Sequence, residues 1–389
     1  MTAPKPFENP VYVTRPALPD RQDVFGKIDE IWRSRWLTNS GPQHGLLEKR
    51  LEDRLGVPGL SLFCNGTLAL QIGCQALRLS GEVITTPFTY AATAHVLHWN
   101  GVTPVFCDIE QETLNLDPCK VEAAVGPRTS AILAVHVFGY PCDVGAFEAI
   151  AGQYGLKVIY DAAHCFGVEL GGRGIGTFGD ISMFSFHATK TFHTVEGGAL
   201  TYRDPELGDR LELARNCGYR GEETIVVPGL NAKMNEIQAA IGLLMLKEFD
   251  REVARRKRLT EIYRDRLKEL PGIVFRQDLP FVKHNYHCMS IRIEKRFGIR
   301  RDELYTALRE YNIFARKYFY PLCSHFECYR GLPSASSTNL PVAEGIANEV
   351  LSLPLHGQLS ADDVHRICDI LAFLRESAAG GGGEAHRSA

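Results

Sequence analysis

At 389 residues the chain is long enough to bury a large core, and its length suits one large domain with a smaller companion. Hydrophobic residues at 45% and charged residues at 23% are those of an ordinary globular protein, and a formal net charge of -3 advertises no surface for a polyanion such as a nucleic acid. No apolar run approaches the roughly 20 residues that span a bilayer. Met1 to Pro10 lacks the charged-then-apolar pattern of a signal peptide, and eleven scattered cysteines without a CxxC pair point to reduced thiols in a cytoplasm.

In chain order, Leu60 to Cys64 reads as a strand and Thr67 to Leu79 as an apolar-faced helix. Glu82 to Thr86 is a second strand, followed by a helical stretch from Ala91 to Trp99. Val102 to Asp108, Ser130 to Phe138 and Lys157 to Tyr160 read as further buried strands. The alternation predicts an α/β fold, with a mostly parallel sheet covered by helices on both faces. Ile181 to Phe186 and Ala199 to Tyr202 are two closely spaced strands whose orientations need not agree. Met234 to Leu270 is strongly helical, and its charged stretch Arg251 to Arg258 reads as a solvated face without the aromatics of a nucleic-acid signature. After Pro271 the character returns to mixed α+β. The expected division is a large domain over 1–250, a smaller C-terminal domain over 251–375, and a disordered tail over 376–389 that contains four consecutive glycines.

Three clusters fall where such a sheet places a ligand, outside the carboxyl ends of its strands. Asn65-Gly66-Thr67 sits between a strand and a helix, where a glycine and free N–H groups suit a phosphate; the same residues also suit a plain helix N-cap. Asp161 ends a strand and opens Asp161-Ala-Ala-His164, where its carboxylate can face a bound heterocycle or cap a turn. Phe184-Ser-Phe-His-Ala-Thr-Lys190 delivers Ser185 and then Lys190, followed by Glu196-Gly-Gly198. A lysine in a partly desolvated pocket has a lowered pKa and can form a Schiff base with an aldehyde, although a lysine after a strand is commonly a surface charge.

Together these clusters resemble the DegT/DnrJ/EryC1/StrS family of sugar aminotransferases, of the pyridoxal-phosphate (PLP) fold-type I superfamily. The resemblance runs from about Leu37 to Leu374 and adds Leu37-Thr-Asn-Ser-Gly41, Pro87-Phe-Thr-Tyr90, Gly176-Thr-Phe-Gly-Asp180 and Asn231-Ala-Lys-Met-Asn-Glu-Ile-Gln-Ala-Ala240. It implies that Lys190 carries PLP as a Schiff base and moves protons, and that Asp161 pairs with the pyridinium nitrogen. It further implies that Gly66, Thr67 and Ser185 bind the phosphate, Tyr90 stacks on the ring and His164 lies close to O3′. A homodimer with shared sites is implied too, the segment holding Asn231 and Lys233 reaching the partner's phosphate. The implied reaction moves an amino group from L-glutamate to a nucleotide-linked keto sugar. Around His187 to Lys190 and Arg316 to Tyr320 the likeness favours amination at C4 of a dTDP-4-keto-6-deoxyglucose, with C3 amination or a GDP- or UDP-linked sugar as alternatives. His187, Arg316, Lys317 and Tyr318 are the expected sugar contacts; the aromatics there could equally pack the small domain.

Other signals carry less. Gly174-Ile-Gly-Thr-Phe-Gly179 fits GxGxxG but opens no helix, and reads as a turn into the strand at Ile181. His95 with His98, and His284 with His287, have metal-compatible spacings without carboxylate or cysteine partners, so they read as structural histidines and no metal is expected. PLP sugar dehydratases resemble this chain but carry histidine where Lys190 stands. A non-catalytic regulator of this fold would usually add a DNA-binding domain, for which there is no room before Pro42.

Overall fold

The computed structural model describes residues 3–381, and its centre is a seven-stranded sheet. Across the sheet the strands are Gly59–Phe63, Gly198–Tyr202, Ile181–Ser185, Lys157–Asp161, Thr129–Val135, Glu82–Thr85 and Thr103–Phe106. Neighbours from Ile181–Ser185 to Thr103–Phe106 pair in parallel. Gly198–Tyr202 runs antiparallel to both of its neighbours. The reason is local: no helix lies between Ser185 and Gly198, so the chain turns back on itself, whereas a parallel return usually needs a crossover helix. Alternate residues of the strands feed two apolar layers. Leu62, Ile132 and Phe184 face one, and Phe63, Leu133 and Met183 face the other.

A second core is built on a three-stranded antiparallel sheet of Ile273–Phe275, Met289–Ile293 and Val350–Leu353, covered by Arg301–Glu310 and Ala361–Gly381. The first residues, expected with the large domain, go with this core instead. Phe7 is buried in it and Val11–Tyr12 pairs in parallel with Ile313–Phe314, a long-range pairing that no local pattern announces. Residue 250 falls inside one helix, Glu236–Leu267, which at about 1.5 Å per residue spans both cores. Its Phe249 is buried in the first, its Leu259, Tyr263 and Leu267 in the second. That helix begins where Asn235 and Gln238 form a reciprocal capping box.

The tail expected to be disordered from 376 is helical through Gly381, because Ile370 and Leu371 anchor a helix that good helix formers then continue. Residues 382–389 lie outside the described residues. Gly174–Gly179 forms a short 3-10 turn at Ile175–Thr177 ahead of the strand at Ile181, as its lack of helix context suggested.

Candidate functional site

Three strand ends converge on one cavity. Phe63 leads to Asn65 and Gly66, Asp161 ends its own strand, and Ser185 ends the next. The antiparallel strand begins at the same place, with Gly198 in register with Phe63 and Ser185. A Cβ at residue 198 would lie 2.7 Å from the Cα and N of Gly66, so glycine there lets the Asn65–Gly66 turn settle onto the sheet. Asn65 Oδ1 accepts the N–H of Leu68 at 2.8 Å and caps the helix Gly66–Ala76. Among the described residues nothing accepts from the N–H of Gly66 or Thr67. Among the described residues Ser185 Oγ has one long hydrogen bond, accepting from His187 N–H at 3.5 Å. The free N–H groups, the hydroxyl and the positive helix end together make an anion cradle.

Asp161 lies deeper, 5% exposed. Its Oδ2 accepts from Thr93 Oγ1 at 2.8 Å and its Oδ1 from Ala163 N–H at 3.1 Å, while Thr93 in turn meets Thr89 Oγ1 at 2.9 Å. Burial raises the Asp161 pKa, and these hydrogen bonds and the charge of Lys190 only partly oppose it. A protonated heterocyclic nitrogen in the cavity would supply the missing counter-charge.

Lys190 sits on a loop pinned by Phe186 and Phe192, both fully buried, whose rings meet at 4.9 Å. Its N–H donates to His187 O at 2.9 Å. Its ammonium makes no hydrogen bond among the described residues. Burial lowers its pKa to about 8, opposed chiefly by Asp161. His164 Nδ1 accepts the N–H of Phe138 at 3.2 Å. Burial, then the charge of Lys190, holds its pKa well below the usual histidine value, so the ring is neutral and its proton sits on Nε2.

Gly66, Thr67, Tyr90, Asp161, His164 and Ser185 line the same cavity of about 760 Å³, and so do Lys190, His187, Arg316 and Tyr318. Tyr90 stands exposed at the start of the helix Ala91–Trp99. His187 Nδ1 lies 2.7 Å from Thr189 Oγ1, and its Nε2 is 3.5 Å from Glu196 Oε1 at the cavity mouth. Arg316 exchanges two backbone hydrogen bonds with Ser352, at 3.0 and 2.8 Å, which fixes its Cα while its guanidinium finds no ion-pair partner among the described residues.

One expected sugar contact is placed elsewhere, and the two residues expected to serve a partner subunit lie outside this cavity. Lys317 does not line the cavity: its ammonium meets Asp302 at 3.1 Å and lies over the Tyr305 and Tyr320 rings. Asn231 is exposed, and Lys233 donates to Asn216 Oδ1 at 2.5 Å beside a separate surface pocket lined by Asn39 and Tyr219. Sequence reasoning also missed residues. Thr93, in the first turn of the helix Ala91–Trp99, reaches the Asp161 carboxylate and carried no sequence signal that pointed to it. His287, grouped with structural histidines, instead lines the cavity and stacks on His164, with ring centroids 4.4 Å apart. Phe319, Leu353 and Leu355 complete the far wall without any local signal. His95 is structural, its Nδ1 being 2.7 Å from Tyr329 Oη.

The model of the DegT/DnrJ/EryC1/StrS aminotransferase family matches residues 20–372. Over 360 residues the chain is 44% identical to the dTDP-4-amino-4,6-dideoxy-D-glucose transaminase of Escherichia coli, covering 92% of this chain and 97% of that protein. Among solved structures, DesI in the presence of its TDP-sugar product superposes with a TM-score of 0.92 at 38% identity, covering 99% of this chain and 97% of that one. The PLP form of Spr1654 from Streptococcus pneumoniae superposes with a TM-score of 0.86 at 25% identity, covering 94% of this chain and 100% of that one.

Proposed function

The chain belongs to the DegT/DnrJ/EryC1/StrS aminotransferase family, and from that membership we propose that it moves an amino group from L-glutamate to C4 of dTDP-4-keto-6-deoxyglucose, giving dTDP-4-amino-4,6-dideoxyglucose. Its cofactor is PLP. The observation that carries the reading is one cavity in which a buried carboxylate, a lysine of lowered pKa and a free helix N-terminus face one another. These are the three partners that a phosphorylated pyridine aldehyde needs. When bound, the cofactor supplies an electron sink for the carbanion that transamination creates.

The chain's own residues divide the work. Gly66, Thr67 and Ser185 hold the phosphate, and Asp161 keeps the pyridine nitrogen protonated. His164 offers its Nε2–H to the ring oxygen, and Tyr90 supplies an aromatic face. Lys190 Nζ holds the aldehyde carbon. Freed from that bond by the amino donor, Nζ would accept the proton that leaves the donor α-carbon, a role that suits an amine with a pKa of about 8. Arg316, pinned by its backbone and without an ion pair among the described residues, suits the anionic groups of the substrates, and His187 and Tyr318 flank it. The 44% identity to a transaminase of that name supports the dTDP-linked C4 acceptor.

A homodimer belongs to this reading. Asn231 and Lys233 lie off their own chain's cavity and are available to a second copy, and apolar Leu37, Leu230 and Ile237 are exposed near them in sequence or by hydrogen bonding. An active monomer in sedimentation would sink that part. All eleven cysteines are free thiols, which supports the cytoplasm as its compartment. Among the described residues no helix is long and apolar enough to cross a membrane.

The test is to incubate the purified protein with PLP, L-glutamate and a panel of keto sugars, and to identify the product by NMR. Amino sugar formed at C4 of the dTDP-linked substrate is expected. A clear preference for a 3-keto isomer, or for a GDP- or UDP-linked sugar, would overturn the acceptor assignment.

A further inference from the structure

His164 has a weak hold for a residue asked to orient one proton. It follows Asp161 in an irregular turn outside the strand, and among the described residues its ring makes a single hydrogen bond, from Phe138 N–H. Three rings restrain it: His287 stacks on it most closely, at 4.4 Å with the planes 19° apart, while Phe138 at 6.3 Å and Phe319 at 6.2 Å lie nearly parallel to it at longer range. His287 is itself tied down at both backbone groups. Its N–H donates to Asn285 Oδ1 at 3.2 Å, and its carbonyl accepts from Arg256 Nη1 at 3.1 Å.

The two clamps are buried and reach further. Asn285 Nδ2 donates to the carbonyls of His164 at 2.8 Å and Phe166 at 3.0 Å, so one side chain fastens the backbones of both histidines. Arg256 pairs with Glu252 at 2.7 Å and also donates to Leu355 O on the far wall of the cavity. Asn285 and Arg256 are each 2% exposed. On the ring side, His287 Nδ1 meets Thr191 Oγ1 at 3.4 Å. Burial above all, and then the charges of Lys190 on both rings and Arg256 on His287, hold the two imidazole pKa values well below the usual histidine value.

We propose that His287 is a positioning residue of the cofactor site, acting through His164: its flat face, clamped by Asn285 and Arg256, holds the His164 ring so that Nε2–H points into the cavity. The proposal rests on the PLP site described above for its purpose, but the geometry of His164 is measurable without the cofactor.

Nitrogen-15 NMR of histidine-labelled, cofactor-free protein reads the His164 tautomer directly. Wild type should show one tautomer, protonated at Nε2. His287→Phe keeps a flat ring and should preserve it, whereas His287→Ala should give a mixture. An unchanged His164 tautomer in His287→Ala overturns the proposal, as does a His287→Phe variant as perturbed as His287→Ala. Equilibrium dialysis with PLP gives the second reading. His287→Ala should weaken PLP binding about 5- to 10-fold, the scale of an aromatic pair, and should add nothing to a His164→Ala background. Additive losses would mean that His287 acts independently of His164. A normal tautomer pattern with no PLP binding by wild type would count against the proposed function and leave the ring-positioning claim standing.

Discussion

The cavity has two walls of different construction. The cofactor wall comes from one sheet: Gly66, Asp161, Ser185 and Lys190 each sit at or just beyond a strand end, and adjacent strands are about 4.8 Å apart. Once those strands pair, the residues lie within one cofactor's width of each other whatever the rest of the chain does. The opposite wall comes from His287, Arg316, Tyr318, Phe319, Leu353 and Leu355; the two leucines belong to the second core, and Phe319 packs with Phe88 and Phe138 in an apolar cluster of its own. Its position depends on long-range ties, such as the Arg316–Ser352 backbone pair and the reach of Arg256 to His287 and Leu355. Chemistry is therefore placed by strand pairing, and substrate fit by how two cores dock. A mutation on the first wall should remove the reaction, and one on the second should retune its substrates, except at His287, which acts on the first wall through His164.

Lys190→Ala is the strongest way to break that contrast. It should abolish the visible absorbance of bound PLP and lower turnover by about 10⁴-fold or more, since no other amine is placed for proton transfer; wild-type-like turnover would contradict the central assignment. Asp161→Asn keeps the shape and removes the charge, and stopped-flow measurement should show a loss of about 10²- to 10³-fold in rate. Near-full kcat would make Asp161 a structural cap.

Arg316→Gln tests the other wall. KM for the anionic substrates should rise about 10- to 100-fold, the worth of a charged hydrogen bond, while the PLP spectrum stays that of wild type. A lost spectrum with unchanged KM would merge the two walls into one. The smallest effect is a pH slope in the cofactor-free protein. An unfolded lysine titrates near 10.4, whereas burial brings folded Lys190 to about 8. Between those values the unfolded chain holds a proton that the folded chain lacks, so stability should rise with pH there, by at most about 1.4 kcal/mol per pH unit. Below pH 8 the lysine is charged in both states and contributes no slope. Urea titrations from pH 7 to 10.5 should show this component in wild type and not in Lys190→Ala.

By itself the sequence determined what depends on neighbours along the chain. Strand-then-turn patterns located Asn65-Gly66-Thr67, Asp161 and Ser185 to Lys190, because a buried strand, its terminal residue and the next helix cap are written in consecutive residues. Tertiary structure decided the rest. Arg316 and Lys317 look alike in sequence, yet backbone pairing with Ser352 turns one to the cavity and the other to Asp302. His287 has the spacing of an ordinary structural histidine and becomes part of the site only because Asn285 and Arg256 carry it onto His164. The N-terminal strand joins Ile313–Phe314 some three hundred residues away. Local preferences are encoded within a few residues, whereas these placements are decided by which buried polar groups and apolar faces find partners when two cores close on each other.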